Sequence, residues 1–208
     1  MSVGTWMIHL NGNLLCVIDC ETTGLVPGFH DLIQVCFMPL GFDLKPHKKH
    51  IPFELKIQPK HPENIDLEAL KKNHCRLMDY VSNGLPADRA ADLFDDWCER
   101  LHLPEGKRIS PLGHNWIFDK SFIQEWLGPY NFEYRIDGRY RDSMVTALYL
   151  NDQADFNVEQ CPFPKVALDY VASQCGVAVE GPKLHDAIYD CMLTGEVYRK
   201  MVQRGVLI

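Results

Sequence analysis

The first third of the chain alternates short apolar runs with turn-forming residues, a pattern typical of β-strands. Asn11-Gly12 lies between two apolar-rich runs within residues 5–20, which predicts a hairpin of two strands. A third strand is predicted over residues 32–40 and a fourth over residues 51–57, with the turn-rich stretch 41–50 between them. We therefore expect antiparallel neighbours in this part of the sheet.

The apolar period changes to 3.6 residues in the rest of the chain, which predicts helices. The clearest apolar stripe covers residues 86–101, and Pro86 occupies a first-turn position that tolerates proline. A short strand is predicted near residues 108–112. Further helices are predicted over 116–127, after Asp142-Ser143, over 165–175 and over 186–203. Strands followed by alternating strand and helix predict an α/β domain with a mixed sheet covered by helices.

Composition limits the class of protein. No repeat or flexible linker divides the chain, so residues 1–208 are expected to form a single domain. With 46% hydrophobic and 24% charged residues, and no apolar run near about eighteen residues, no membrane span is expected. No secretory signal is recognised at the start, so a cytoplasmic protein is predicted. The eight cysteines form no CxxC pair, as expected of reduced thiols in a core.

Two carboxylates end an otherwise apolar strand. Residues 14–18 are apolar on both faces, which is typical of a central strand, and Asp19 and Glu21 follow on one face with about 6 to 7 Å between their attachment points. Two uncompensated acids at the edge of a core repel one another and are costly to bury, so a positive group is expected between them. The small residues Thr22, Thr23 and Gly24 would let a ligand approach the backbone. Solvated acids at a strand end are the alternative interpretation.

Two further acids occupy apolar positions of predicted helices. Asp119 lies one turn before the apolar stripe of helix 116–127, and Asp190 falls inside the stripe of the last helix. A shared site for hard cations such as Mg²⁺ or Mn²⁺ explains four inward acids better than separate burials do. His185 is five residues before Asp190 and is expected in the entry loop, where it could act as a general base. A surface histidine at a helix start is the alternative.

These residues resemble the motifs of the DnaQ-like, DEDD-type 3′-to-5′ exonucleases, in the branch with histidine as the base. The three motifs resemble residues 17–25, 113–123 and 184–190, in family order. The tyrosine branch has its base four residues before the last aspartate, and Asp186 occupies that position here. The resemblance implies a ribonuclease-H-like exonuclease fold with a mixed sheet of about five or six strands.

The resemblance also implies roles for single residues. Asp19, Glu21, Asp119 and Asp190 would hold two divalent cations, Mg²⁺ or Mn²⁺, and His185 would be the base. Leu25 and Phe122 would contact the terminal base, and Asn115 would lie near the phosphate or sugar; each of the three also has a plain packing interpretation. Thr22 and Thr23 are counted with these substrate-binding residues. Asp142 matches an acid often found in the family, although an Asp-Ser pair there is better interpreted as a helix N-cap.

The implied activity is removal of nucleoside 5′-monophosphates from the 3′ end of single-stranded DNA. A net charge of −7 argues against a nucleic-acid partner, but two bound divalent cations would bring the charge to about −3. An exoribonuclease trimming RNA ends is nearly as well supported. The sequence also permits a catalytically silent module that binds nucleic acid or docks a polymerase, and an endonuclease of the ribonuclease H type.

Two segments fit no part of this pattern. Residues 151–164 contain Cys161-Pro162-Phe163-Pro164 and are predicted to be an irregular connection. Residues 45–50 form a basic cluster that could contact phosphates, although a solvated turn is the commoner meaning of such a run.

Overall fold

The computed structural model describes residues 10–72 and 77–205. The described strands are β1 Leu14–Thr22, β2 Leu32–Pro39, β3 Phe53–Lys56, β4 Ile109–Gly113 and β5 Arg141–Asp142. They form one mixed sheet in the order β3-β2-β1-β4-β5. β1 pairs antiparallel with β2 and parallel with β4, β2 pairs antiparallel with β3, and β4 pairs parallel with β5. The predicted mixed sheet is confirmed with five strands.

Helices cover both faces of this sheet. The described helices are α1 Leu67–Lys72, α2 Leu77–Asn83, α3 Ala87–Arg100, α4 Trp116–Leu127, α5 Pro129–Arg135, α6 Ser143–Phe156, α7 Leu168–Gln174 and α8 Ala187–Gly205. Helices α3 and α4 pack on one face, and α8 packs against β1, β2 and β4 on the other. None of the described helices is long and apolar enough to cross a membrane.

The central position of β1 follows from its composition. Its alternate side chains enter two different cores, so both faces of the strand must be apolar. Leu14, Cys16, Ile18 and Cys20 pack toward α3 and α4. Leu15 and Val17 pack toward α8, on the face that also bears Asp19 and Glu21.

The Asn11-Gly12 turn is present, with φ angles of 51° and 89° that favour these two residues. The predicted hairpin is wrong at Leu10, which lies in the turn and not in a strand. Residues 5–9 of that strand lie outside the described residues. Both neighbours of β1 come from later in the chain: residues Leu14 to Val17 pair with β4, and residues Cys16 to Thr22 pair with β2.

Two predicted irregular segments have definite positions. Helix α6 extends to Phe156, so the prediction of an irregular connection is wrong for residues 151–156. The remainder is held against this helix, because the Asn151 side chain accepts from Phe163 N at 2.9 Å and donates to Phe163 O at 2.8 Å. The basic loop 45–50 follows the end of β2 that pairs with Cys16, and Glu21 pairs with the other end of β2. It is therefore remote from the carboxylates.

The cysteines of the described segments are free thiols, as predicted for a reduced core. Cys161 is half-buried and the other six are buried. Cys75 lies outside the described residues.

Candidate active site

The carboxyl end of β1 is where the sheet opens. Strand β4 ends at Gly113, and its last residue paired with β1 is Leu112, opposite Val17. The chain then turns sharply into α4; a side chain at Gly113 would meet the Trp116 backbone at 3.0 Å. On this side of β1, the edge beyond Val17 consequently has none of the described strands beside it. Asp19 and Glu21 project from this uncovered end.

Asp119 fills part of the gap from the first turn of α4. Its Oδ1 accepts the backbone N–H of Cys20 at 3.0 Å, in the place where a further strand residue would have accepted it. Asp119 is only 4% exposed. The predicted inward orientation is confirmed, and this hydrogen bond fixes the carboxylate between Asp19 and Glu21 along the strand.

Asp190 and His185 come from the start of α8. His185 lies in the turn before the helix with a φ angle of 63°, as predicted for an entry loop. Its backbone N–H donates to Asp190 Oδ2 at 3.2 Å. Ligand atoms of Glu21, His185 and Asp190 all lie within 4.8 Å of one another. The sheet end, α4 and α8 thus bring the five predicted catalytic residues to one place.

Burial and mutual repulsion dominate the electrostatics. Burial raises the pKa of Asp19 well above its usual range, and the charges of Asp119 and Glu21 raise this pKa further. The pKa of Glu21 is also raised by burial, with Asp190 as the next cause. Burial raises the pKa of Asp119 to about 7, against the effect of its Cys20 hydrogen bonds. Burial raises the pKa of Asp190 to about 6, partly offset by the His185 N–H.

The donor set fits divalent cations. None of the ion pairs between described side chains includes any of the four acids. Asp190 Oδ1 is buried and has no hydrogen-bond partner among the described residues. An unpaired buried carboxylate oxygen is costly unless a cation binds it. Carboxylate oxygens are the ligands that Mg²⁺ and Mn²⁺ prefer, so these residues suit the predicted metals.

A cleft of about 250 Å³ surrounds the carboxylates. Its α1 wall contributes two acids, Asp66 and Glu68, that the sequence pattern did not single out; Asp66 Oδ1 caps α1 by accepting from Glu68 N at 2.8 Å. His114 and Phe118 line the cleft from the start of α4. Acids are ordinary in a short polar segment, so nothing in the sequence marked these two as residues of the cleft.

His114 is held by both ring nitrogens. Nδ1 lies 2.8 Å from Ser143 Oγ and Nε2 lies 2.8 Å from Val166 O. Because a carbonyl can only accept, Nε2 must carry a proton. Burial lowers the pKa of His114, which favours the neutral ring. His114 therefore joins the cleft to α6 and to the segment before α7.

Three of the predicted substrate-binding residues lie at the β1 end. Thr22 and Leu25 line the cleft, and Leu25 is 70% exposed. Thr23 is fully buried and has a structural role: its hydroxyl accepts from Asp31 N at 2.8 Å and its carbonyl accepts from Asp66 N at 2.8 Å.

The other two are placed differently. Asn115 is exposed at the start of α4, with a φ angle of 70°, and is not among the described residues that line the cleft. Phe122 is 2% exposed and packs in the core against Phe118, with 5.1 Å between the ring centroids. The surroundings of Phe122 show a packing role. Contact of Asn115 or Phe122 with a substrate stays a prediction.

Asp142 is the N-cap that the sequence predicted. It accepts from Met144 N and Val145 N of α6 at 2.9 and 3.2 Å. It also accepts from Asn115 N and Trp116 N at 3.2 and 2.8 Å, and so joins the starts of α4 and α6.

Four carboxylates and a histidine at the open end of a mixed sheet define a nuclease of the DnaQ-like, ribonuclease-H-like class. The Exonuclease family model, named for RNase T, matches residues 16–198, and the chain belongs to this family. Ribonuclease T of Actinobacillus pleuropneumoniae serotype 5b (strain L20) is 25% identical over 203 residues, which cover 94% of this chain and 86% of that protein.

Solved nucleases share the fold. The nuclease domain of 3′hExo, a DEDDh family member bound to rAMP, has a TM-score of 0.66 at 14% identity and 93% coverage of both chains. The zinc-bound complex of E. coli ExoI with single-stranded DNA has a TM-score of 0.71 at 14% identity, over 92% of this chain and 41% of ExoI. Cell-death related nuclease 4 has a TM-score of 0.69 at 16% identity, over 93% of this chain and 64% of that one. The chain therefore spans less than two thirds of the latter two proteins.

Proposed function

We propose that this protein is a 3′-to-5′ exonuclease that removes nucleoside 5′-monophosphates from the 3′ end of single-stranded nucleic acid, with DNA as the preferred substrate. The observation that carries the proposal is the convergence of four carboxylates without a cationic partner among the described side chains, one of which has an orphaned buried oxygen. Membership of the exonuclease family supports the same reaction.

The residues divide the chemistry between them. Asp19, Glu21, Asp119 and Asp190 would hold two divalent cations, Mg²⁺ or Mn²⁺. The chemistry supplied by cations in such a site is activation of a water and stabilisation of the leaving 3′ oxygen. His185 takes the proton of the attacking water, because its exposed ring lies beside Glu21 and Asp190 and imidazole is the side chain best suited to proton transfer near neutral pH.

The lining of the cleft supports end-specific binding. No lysine or arginine is among its described residues. Without basic residues to follow the phosphates, affinity for internal stretches of nucleic acid should be low. Recognition then depends on the cations and on contacts with the terminal nucleotide, as an enzyme acting at strand ends requires.

Cleavage of RNA ends is the second candidate. It is favoured by the relative named ribonuclease T and by the likeness to 3′hExo bound to rAMP. The two candidates differ in whether a ribose 2′-hydroxyl is accepted at the site.

Digestion of matched DNA and RNA single strands tests both proposals. Each strand is labelled once at the 5′ end and once at the 3′ end, and is incubated with Mg²⁺, Mn²⁺ or a chelator. We expect a ladder from the 5′-labelled strand, immediate mononucleotide release from the 3′-labelled one, faster cleavage of DNA, and no cleavage with the chelator. Internal fragments would indicate an endonuclease, and faster cleavage of RNA would reverse the substrate preference.

A further inference from the structure

The loop from Gly24 to Asp31 carries an exposed apolar side chain to the carboxylates. Leu25 is 70% exposed and lines the cleft beside Glu21 and Thr22. An apolar surface next to a phosphodiester site can pack against the face of a base, because every base has an apolar face. Leu25 therefore offers an apolar surface for the base of a nucleotide held at the carboxylates.

Side chains hold both peptide groups that flank Leu25. On its amino side, the Thr22 hydroxyl donates to Gly24 O at 2.6 Å. On its carboxyl side, Val26 N donates to His30 Nδ1 at 3.0 Å. His30 N in turn donates to Val26 O at 2.8 Å, which closes the loop on itself. An exposed residue with both neighbouring peptides fixed in this way is held in place before any ligand arrives.

Gly24 is explained by the same histidine. The Gly24 backbone is not in the left-handed region, so its φ angle would permit other residues. A Cβ at Gly24, however, would overlap the His30 ring and lie 2.6 Å from His30 Cγ. The imidazole occupies the space that a side chain would need. Gly24 and His30 are therefore one packing unit beneath Leu25.

We propose that His30 is a positioning residue, which fixes Leu25 at the cleft through Val26 N and through contact with Gly24 and so sets where the 3′-terminal base binds. The inference rests on the proposed function for its substrate and concerns a residue outside the carboxylate set. It predicts that His30 acts mainly on substrate affinity, whereas the carboxylates act on the chemical step.

Three substitutions separate the features of His30. His30→Phe keeps a ring and removes the acceptor for Val26 N. His30→Asn keeps an acceptor at the position of Nδ1, and His30→Ala removes both. We expect His30→Phe to raise KM for a twelve-nucleotide single strand by about tenfold and His30→Ala to raise it further, with kcat changed less than about threefold in both. His30→Asn keeps the hydrogen bond and loses the ring contact, so it should raise KM by no more than about threefold. A wild-type KM in His30→Phe would overturn the proposal.

A double-mutant cycle tests the contact with Gly24. Gly24→Ala should raise KM by about tenfold in the wild-type background and by less than about twofold in the His30→Ala background, where the ring is absent. An equal effect of Gly24→Ala in both backgrounds would contradict the packing unit. Thermal unfolding of every variant is measured, and a fall in stability with unchanged KM would show a role in folding alone.

Binding without cleavage keeps this test separate from the proposed function. Fluorescence anisotropy of a labelled strand with Ca²⁺ should show the same order of affinities as KM. If the wild-type protein releases no mononucleotide, the proposed function fails; if it does and the His30→Phe protein binds and cleaves equally well, the inference about His30 fails. His102→Asn, an exposed histidine beyond the last turn of α3, is the matched control and should behave as wild type.

Discussion

Two aspartates that are almost equally buried, Asp142 and Asp190, differ in their hydrogen bonds. Asp142 is 6% exposed and accepts from four backbone N–H groups at the starts of α4 and α6. Asp190 is 8% exposed, accepts one N–H through Oδ2, and leaves Oδ1 without a partner in the described parts of the chain. The protein itself satisfies the carboxylate of Asp142 with hydrogen bonds, whereas one oxygen of Asp190 has no hydrogen-bond donor among the described residues. Burial alone therefore does not distinguish these two acids, and the oxygen without a partner is the feature that suits Asp190 to bind a cation.

Removal of a carboxylate from the site should have the largest effect. Asp190→Ala or Asp19→Ala should lower kcat/KM in Mg²⁺ by at least about 10³-fold, because the cations lose a ligand. The metal-free variants should be as stable as the wild type or slightly more stable, since repulsion among the acids is reduced. Mononucleotide release and thermal unfolding are measured, with the exposed Asp88→Ala as control. Full activity would reject the site.

Substitution of His185, the proposed general base, should have the next largest effect. His185→Ala should slow the chemical step by about 10² to 10⁴ while leaving Mg²⁺ binding nearly unchanged, because proton removal is lost and the carboxylates remain. Single-turnover rates across pH measure it. A normal rate at every pH would mean that another group acts as base.

Removal of the Asp142 carboxylate should lower the stability of the fold. Asp142→Ala leaves four backbone N–H groups without an acceptor, so we expect a loss of about 2–4 kcal/mol in the free energy of unfolding. The exposed Asp152→Ala on the same helix is the control and should change stability by less than about 0.5 kcal/mol. Urea unfolding measures both. Equal stability of the two variants would remove the distinction between the two kinds of buried acid.

The smallest effect is a pH dependence of the metal-free protein. The pKa values of Asp119 and Asp190 are raised to about 7 and about 6, so both acids bind their protons more tightly in the folded chain. Their stabilising contribution is complete below about pH 4 and is lost as the pH rises through about 6 to 7. We expect Tm in chelator to fall by roughly 5 °C between pH 5 and pH 8, and Mg²⁺ to reverse the fall.

A Tm in chelator that rose over this pH range would have the wrong sign for carboxyl groups with raised pKa values. Asp137 provides the internal contrast, because hydrogen bonds from Arg139 lower its pKa to about 2. Its contribution is present above about pH 4 and disappears only as the pH falls toward 2.

The sequence predicted those parts of the fold whose pattern is complete within one segment. Helix α4 was predicted with its observed ends, and α3 and α8 within about two residues, because each has a long apolar stripe. The two-residue strand β5 exists only through its pairing with β4, and the six-residue α1 is too short for a stripe. Neither could be recognised from local periodicity.

The site divides in the same way. Asp119 and Asp190 could be predicted from the sequence, because each is an acid at a position where the helical pattern requires an apolar residue. Asp66 and Glu68 occupy a polar segment with no apolar stripe, so nothing in the sequence distinguishes them. They line the cleft in the folded chain, where Asp66 N donates a hydrogen bond to Thr23 O. The packing of His30 against Gly24 could not be predicted, because only the folded loop places the ring in the space that a side chain at position 24 would occupy.

The two-cation site is tested by the number of Mn²⁺ ions bound per chain, measured by electron paramagnetic resonance of free Mn²⁺ in wild-type protein and in Asp190→Asn. We expect two bound ions in the wild type, with at least one lost or greatly weakened in the variant, and unchanged binding in Asp142→Asn if that protein stays folded. Wild-type protein that binds no Mn²⁺, or an Asp190→Asn protein that binds it equally well, would show that these carboxylates do not form a cation site.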